Sequence, residues 1–335
     1  MKLEKNIILT DNSVEKMQDL KDGLENITKE EWKICVKSSN KEKSSFLRYI
    51  KYFMFSFFIF IKRKQTKNIV SWQQFYGLIY AFYCRIFKVK KTTNLYVCTF
   101  IYKDKKIFKN LYYRFIKYII SSIYIDKIIC FSDSECEYYA KKFNVDKNKF
   151  VYLCLGIEEI NINKYLLNSD NNYVLTAGKS NRDYNFLIDS IKNTKFNLRI
   201  VCNTLKGIEN KYNNIKLYDN TFGDDYYSLL ANCYCVVIPL KDENISSGQL
   251  VILQAMQFKK PVIITKTNTI STYIENNKTG IVIDKNKESL LSALKLIYSD
   301  KDYYDKIVNN AYIEFKQKYS LYALGENIAK IMVER

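Results

Sequence analysis

The sequence predicts an α/β protein built from two doubly wound domains with a cleft between them. Three observations lead there. The chain has 335 residues, enough for two separate cores, and 47% of them are hydrophobic. Its apolar segments are short runs that alternate with helical stretches throughout. The alternation pauses at a polar patch around Asn168–Asn172 and then starts again.

The strands follow in order. In the first half they are NIILTD (6–11), WKICVK (32–37), NIVSW (68–72), NLYVCTF (94–100), KIICFS (127–132) and FVYLCLG (150–156). Helices fit between most of them, as at Phe75–Phe87 and Phe108–Ser122. The second half offers YVLTAGK (173–179), LRIVCN (198–203), NIKLYD (214–219), CVVIPL (235–240), PVIITK (261–266) and GIVID (280–284). Most of these runs are continuously apolar, as strands buried on both faces of a parallel sheet are. From Lys287 to Arg335 the pattern is helical, with no further strand. The domain boundary is expected near residue 160.

Composition removes several functions. There is no His, which excludes Ser-His-Asp and Cys-His triads and His-ligated zinc. Nine Cys lie singly, apart from Cys233 and Cys235, and supply no spaced pairs for a metal. A reducing cytosolic compartment is expected, and MKLEKNIILTDNS has too short an apolar run for a signal peptide. The first strand is followed by Asp11-Asn12-Ser13 and not by G-x-G-x-x-G, so no dinucleotide fingerprint is present.

Charge is concentrated. Of the formal +18, the stretch Lys41–Ile125 carries 18 Lys or Arg against two acids, Glu42 and Asp104, a balance of +16. Within it, Ser45–Lys67 is the extreme case. Its apolar core Tyr52–Ile61 is about half of what a membrane span needs. Arg48 and Lys51 lie on one side of that core and Lys62, Arg63 and Lys64 on the other. This suits a helix lying in a headgroup layer with its cations on anionic lipid, and Lys103–Lys117 repeats the mixture. The plainer reading is a core helix with solvated ends. Nucleic acid is not expected, because the cations are separated by long apolar runs and not interleaved at stacking spacing.

Two stretches of the second half have the chemistry of an anion site. Gly178-Lys179-Ser180-Asn181-Arg182 follows the strand YVLTAG, at the carboxyl end where open α/β sheets bind ligands. Lys179 and Arg182 could hold a diphosphate by charge-assisted bonds, and the rival reading is a solvated turn. After CVVIPL comes a polar loop, then Ser247 as a candidate N-cap and the apolar helix GQLVILQAM. The first turn of that helix offers N–H groups and the positive end of the dipole, and Gly248 permits close approach of a phosphate. Gln254, two turns in, is either a satisfied core amide or a ribose contact.

The run Pro239–Ile283, with SGQ, LQAM, KKPVIIT and YIENNKTGIVI, resembles the retaining, family-4-like glycosyltransferases of GT-B fold. AGKSNRDYNFLI is similar to their Gly-Arg…Lys diphosphate motif in shortened form, and WQQFYG and CFSDSECEYY to their acceptor-domain strands. The resemblance implies an acceptor domain over 1–160, a nucleotide-sugar domain over 161–317 and a helix over 318–335 crossing back to the first. Donor contacts would come from Gly178, Lys179, Asn181, Arg182, Ser246, Ser247, Gly248, Gln249 and Gln254. The family's Glu-x7-Glu positions hold Ser246 and Gln254 here, and the nearest acid upstream is Glu243, a catalytic candidate beside Lys179 and Arg182. Gln73, Gln74, Thr99, Lys103 and Glu135 are the acceptor-side candidates.

The implied reaction moves a sugar from a UDP- or GDP-type donor to a hydroxyl of a lipid-linked saccharide or glycolipid, in surface polysaccharide synthesis at the inner face of the plasma membrane. In retaining enzymes of this kind the departing phosphate can take the acceptor's proton, which agrees with a chain without His. An inverting reaction would need a carboxylate from the first domain, and Asp133 and Glu135 are nearest. That pair is spaced like a metal-binding Asp-x-Asp, but Ser132 to Glu135 also has the form of a helix-capping box, and neither metal nor cofactor is expected. A sugar-nucleotide epimerase and a non-catalytic nucleotide-sugar-binding protein are the alternatives.

Overall fold

Each half of the chain closes around one parallel sheet. The computed structural model describes residues 4–37, 45–102, 105, 108–167, 172–208, 211–242, 247–267 and 273–334. It divides into two units, Met1–Glu158 with Ser320–Arg335, and Glu159–Tyr319.

The first unit holds strands β1 (Asn6–Thr10), β2 (Lys33–Val36), β3 (Asn68–Ser71), β4 (Asn94–Val97), β5 (Lys127–Cys130) and β6 (Phe150–Tyr152), all parallel in the order β2-β1-β3-β4-β5-β6. The two-residue period of a strand sorts its side chains onto two faces. Ile7, Leu9, Ile69, Leu95 and Val97 join a core covered by α2 (Ser45–Ile61), α3 (Gln74–Ile86), α4 (Lys109–Ile120) and α5 (Asp133–Phe143). Ile8, Val70, Tyr96 and Ile129 face the other way, against α1 (Gln18–Thr28) and the last helix of the chain, residues 321–333.

That last helix meets α1 at two glycines. A Cβ on Gly23 would lie 2.1 Å from the carbonyl oxygen of Tyr322, and one on Gly325 would lie 2.4 Å from that of Leu20. The backbones therefore touch, and no larger residue fits. At the amino ends of the strands, Asn6, Asn68 and Asn94 stand in register. Asn94 Nδ2 donates to Asn68 Oδ1 (2.9 Å), and Asn68 Nδ2 to Asn6 Oδ1 (2.8 Å). Asn6 Nδ2 donates in turn to Glu30 Oε2 at 2.9 Å. This amide ladder fixes the stagger of three strands, because a slip by one residue would turn each amide to the opposite face.

The second unit has β7 (Tyr173–Ala177), β8 (Asn197–Val201), β9 (Ile215–Tyr218), β10 (Cys235–Ile238), β11 (Val262–Thr265) and β12 (Ile281–Ile283), parallel in the order β12-β11-β10-β7-β8-β9. The chain builds outward from β7 to β9, returns to place β10 on the other side of β7, and builds outward again. The direction reverses between β7 and β10, and such a switch point opens a crevice at the carboxyl ends of the strands. One face of the sheet packs on α6 (Tyr184–Ile191) and α9 (Lys287–Ser299) through Leu187, Ile188, Leu290 and Leu294. Helix α7 (Asp224–Ala231) follows β9, and α8 (Gln249–Gln257) packs on β11 and on α10 (Lys301–Glu314). Ile252, Leu253, Ala255 and Met256 of α8 are fully buried there, which explains its apolar sequence. After a π-helical turn at Phe315–Tyr319, α11 (Leu321–Val333) belongs to the first unit.

Two capping expectations are corrected. The N-cap of α8 is Gly248, at φ +93°, and not Ser247. Ser132 precedes α5 in extended backbone, but its hydroxyl pairs with that of Ser134 (2.5 Å) and makes no cap bond, so the capping box with Glu135 is not formed. Helix α2 has one buried side and one exposed side. Tyr52, Phe55, Ile59 and Phe60 lie in the core, while Met54 and Ile61 on the opposite side are 68% and 59% exposed. Among the described residues no helix is long and apolar enough to cross a membrane.

Candidate functional site

The site is built where β7 and β10 end. At Gly178 the backbone turns with φ +106°, a conformation that side chains of L-residues disfavour. The chain then runs antiparallel to the end of β10, with Arg182 bridged to Leu240. Asp183 N donates to Pro239 O (2.8 Å) and Lys241 N to Asn181 O (3.3 Å), which joins the two loops. Asn181 completes the joint. Its side chain accepts from Asp242 N (2.8 Å) and donates to Asp242 O (2.9 Å) and Ser247 Oγ (3.2 Å). It adopts φ +55°, which its short amide tolerates. Asn181 and Ser247 are thus a strut that sets the approach to α8.

Arg182 is largely engaged by the protein itself. Its Nε donates to Ala177 O (3.0 Å) and its Nη1 to Ser180 O (2.8 Å). Burial lowers its pKa from the ordinary 12.5, and it remains a cation at neutral pH. Nη2 lies between two glycines, 2.9 Å from where a Cβ of Gly178 would be and 3.7 Å from where one of Gly248 would be. The guanidinium therefore shapes the turn and leaves one nitrogen for a ligand. Asp183 caps α6 by accepting from Phe186 N (3.1 Å), and Lys285 Nζ stands 3.6 Å from its other oxygen.

Beside this joint lies a pocket of about 310 Å³. Lys179 and Gly178 line it from the β7 loop, and Leu250, Val251 and Gln254 from α8. Lys179 is exposed and makes no hydrogen bond or ion pair with any described residue. Gln254 is only 8% exposed, yet its amide also has no partner among the described residues. Helix α8 starts at a glycine N-cap that brings no side-chain cap, and the positive end of its dipole lies at that end. Gln249 is partly exposed in that turn.

The far wall was not anticipated from sequence. Tyr218 at the end of β9, and Asn220, Phe222, Tyr226 and Tyr227 after it, give the pocket an aromatic, mostly apolar side. Phe222 and Leu250 are 66% and 53% exposed at its rim. The available signal was NTFGDD directly after the strand NIKLYD, a Gly-bearing loop at the carboxyl end of a parallel strand. A cation, an uncapped helix start and an aromatic wall can together take a molecule with an anionic group and a flat ring.

Glu243, Ser246 and Lys103 lie outside the described residues. In the first unit, the candidates at the carboxyl ends of the strands act as braces. Gln73 caps α3 by accepting from Phe75 N (3.3 Å) and donates to Asp11 Oδ2 (3.0 Å). Gln74 holds the backbone of Ile101 at both ends of its amide (3.1 and 3.3 Å), and Thr99, at φ +51°, donates to Trp72 O (2.6 Å). Glu135 is half-buried in the first turn of α5, and desolvation raises its pKa above the ordinary 4.5. Among the described residues no cluster of carboxylates or thiols has the form of a metal site.

Two parallel-sheet α/β units, with a pocket at the switch point of the second, define a protein of GT-B fold. The similarity to solved structures is of that kind: HepE of Anabaena, solved in complex with UDP and glucose, matches with a TM-score of 0.62 at 15% identity over 99% of this chain and 100% of its own. Residues 158–314, nearly all of the second unit, match the family described as glycosyl transferases group 1. An uncharacterized glycosyltransferase of Methanocaldococcus jannaschii is 25% identical over 220 residues, 62% of this chain and 60% of its own length. The α-D-kanosaminyltransferase of Streptomyces kanamyceticus is 29% identical over 108 residues, 32% of this chain and 27% of its own. The matched stretches thus span under two thirds of either relative.

Proposed function

We propose that the chain is a glycosyltransferase that moves a sugar from a nucleotide-diphosphate donor to a hydroxyl of a lipid-linked saccharide or glycolipid. The observation that carries this reading is the pocket after β7–β9, where Lys179 and the amide of Gln254 have no partner among the described residues and α8 begins at a glycine N-cap. The diphosphate lies against the first turn of α8 and Lys179, with Nη2 of Arg182 behind it. The base rests on the aromatic wall, and Gln254 meets the ribose, for which an amide can both donate and accept. Charge grows on the diphosphate as the sugar–oxygen bond breaks. A preorganised cation and helix terminus stabilise that charge more than they stabilise the bound donor.

The reaction is retaining in this reading and uses neither metal nor cofactor. The departing phosphate accepts the acceptor's proton, and no residue of the described pocket is placed to do so. The acceptor belongs to a surface polysaccharide or glycolipid, and the chain works on the cytoplasmic side of an anionic membrane. The support is the balance of +16 in Lys41–Ile125 together with the exposed Met54, Ile61, Phe108 and Leu111 of the first unit.

The test is a thermal-shift screen of UDP- and GDP-sugars in the presence of a chelator, followed by transfer assays with membrane glycolipid and determination of the anomeric product. A stabilising donor that is then transferred supports the proposal. A donor that is bound and epimerised, or bound and never turned over, replaces it by the epimerase or the binding protein. Lys179→Ala is expected to weaken UDP binding about tenfold, the scale of one charge-assisted contact, with a shallower salt dependence. Unchanged affinity overturns the placement of the diphosphate.

A further inference from the structure

The first unit carries an apolar slot that the glycosyl-transfer reading does not use. It lies between α2, α3 and α4, has a volume of about 280 Å³, and is lined by Tyr49, Phe53, Leu78, Tyr112 and Phe115 among others. Its lining is mostly apolar and holds one cation. Lys105 stands there, with Nζ 3.4 Å from Tyr49 Oη and over the Tyr49 and Tyr112 rings at 5.9 and 5.3 Å. Phe108, 76% exposed and held at φ +57°, completes the rim.

The surface around the slot has its own pattern. On α2 the exposed residues Leu47, Ile50, Met54, Phe57 and Ile61 recur every three or four positions, so they form one stripe on the side away from the core. Leu111 is 66% exposed on α4. Arg48, Lys51, Lys109, Arg114 and Lys117 are the charged residues of the two helices, and neither contains an acid. A second copy meeting this face with its own α2 and α4 would bring like charges together. A nucleic acid would meet the cations but leave the slot empty. An anionic lipid satisfies both, with its phosphate at Lys105 and a hydrocarbon chain in the slot.

We propose that the α2–α3–α4 slot binds one hydrocarbon chain of an anionic lipid, drawn from the bilayer on which the α2 stripe rests. The proposal deepens the reading of the first unit as the acceptor side of a membrane-bound glycosyltransferase, and rests on it for its biological use. The lipid's phosphate pairs with Lys105 where the slot opens, while its alkyl carbons replace water along Phe53, Leu78 and Phe115.

The test titrates n-alkyl phosphates of increasing length onto the full chain by calorimetry, each below its critical micelle concentration. One-to-one binding is expected, tightening about fourfold per methylene until the slot is full and then no further. Inorganic phosphate should not bind. Leu78→Trp, which fills the slot, should remove the length dependence, with Phe115→Trp as a second plug if the first does not fold. Lys105→Glu should weaken every length about fivefold. Met54→Glu with Ile61→Glu, which leaves the slot lining intact, should lose retention on anionic vesicles but keep alkyl phosphate binding. Absence of saturable binding, tightening that persists in folded plug variants, or amphiphile-driven dimers by light scattering each overturn the proposal. Donor binding without alkyl phosphate binding sinks the slot alone. Alkyl phosphate binding without any nucleotide-sugar binding leaves the slot standing and removes the transferase reading.

Discussion

Gln254→Met separates a ligand contact from a core amide more cleanly than any other change in the pocket. Methionine keeps the length and approximate volume of the side chain and removes only the amide, so packing on β11 and α10 is conserved. Gln254 is 8% exposed and its amide has no partner among the described residues, so the free protein loses no internal hydrogen bond. Stability is therefore expected to stay level or rise by up to about 1 kcal/mol, since a poorly satisfied polar group leaves a mostly apolar place. For a unit of this size that is a Tm higher by about 2–4 °C at most. The bound donor loses a hydrogen bond of about 0.5–1.5 kcal/mol, a two- to tenfold weaker Kd for UDP. Calorimetric titration and thermal unfolding of the same preparations give both numbers. A loss of stability of 1 kcal/mol or more would show that the amide is engaged without ligand. Unchanged UDP affinity would remove Gln254 from the site.

Two further outcomes follow from the packing and the charge. Gly325→Val places a Cβ 2.4 Å from the backbone oxygen of Leu20, where no side-chain movement relieves the clash, so α11 must leave α1. A loss of at least about 3 kcal/mol is expected in the unfolding of the first unit, with UDP binding retained; a loss below 1 kcal/mol would refute the contact. Glu135 has a pKa raised above 4.5 by desolvation, so its protonated form is favoured by folding. The stability it contributes is present below pH 4.5 and is lost as pH rises toward the folded value. Glu135→Gln should therefore stabilise at pH 7 and be neutral at pH 4, measured by denaturant unfolding at both; the opposite order would indicate a paired carboxylate.

The strands were legible because parallel strands buried on both faces leave continuous apolar runs, and all twelve quoted runs contain a strand. The turn that lines the proposed anion site was legible in outline for a related reason. Gly178 and Lys179 had to follow a buried strand, where a Gly and a cation have few structural uses. Contacts that close in space and not in sequence were not legible. Asn6, Asn68 and Asn94 read as three scattered amides in an Asn-rich chain until register aligns them. Arg182 reads as a second phosphate cation until Ala177 O and Ser180 O are seen to hold it. Ser247 reads as a cap, but Gly248 takes that position, where the backbone has a φ of +93° that L side chains rarely adopt.

The polar groups at the strand ends divide the labour of the molecule. At the amino ends of β1, β3 and β4 the ladder from Asn94 to Glu30 engages its amides in fixing register. At the carboxyl ends in the first unit, Gln73, Gln74 and Thr99 are engaged in bracing the loops. In the pocket of the second unit, Lys179 and Gln254 have no partner among the described residues, and the first turn of α8 has no side-chain cap. A buried amide left open as that of Gln254 is would be unfavourable unless something else met it. That asymmetry supports the proposal that the second unit binds an anion through groups held ready. The first unit has no equivalent reserve among its described candidates, and what it recognises is read instead from its cations and exposed apolar stripe.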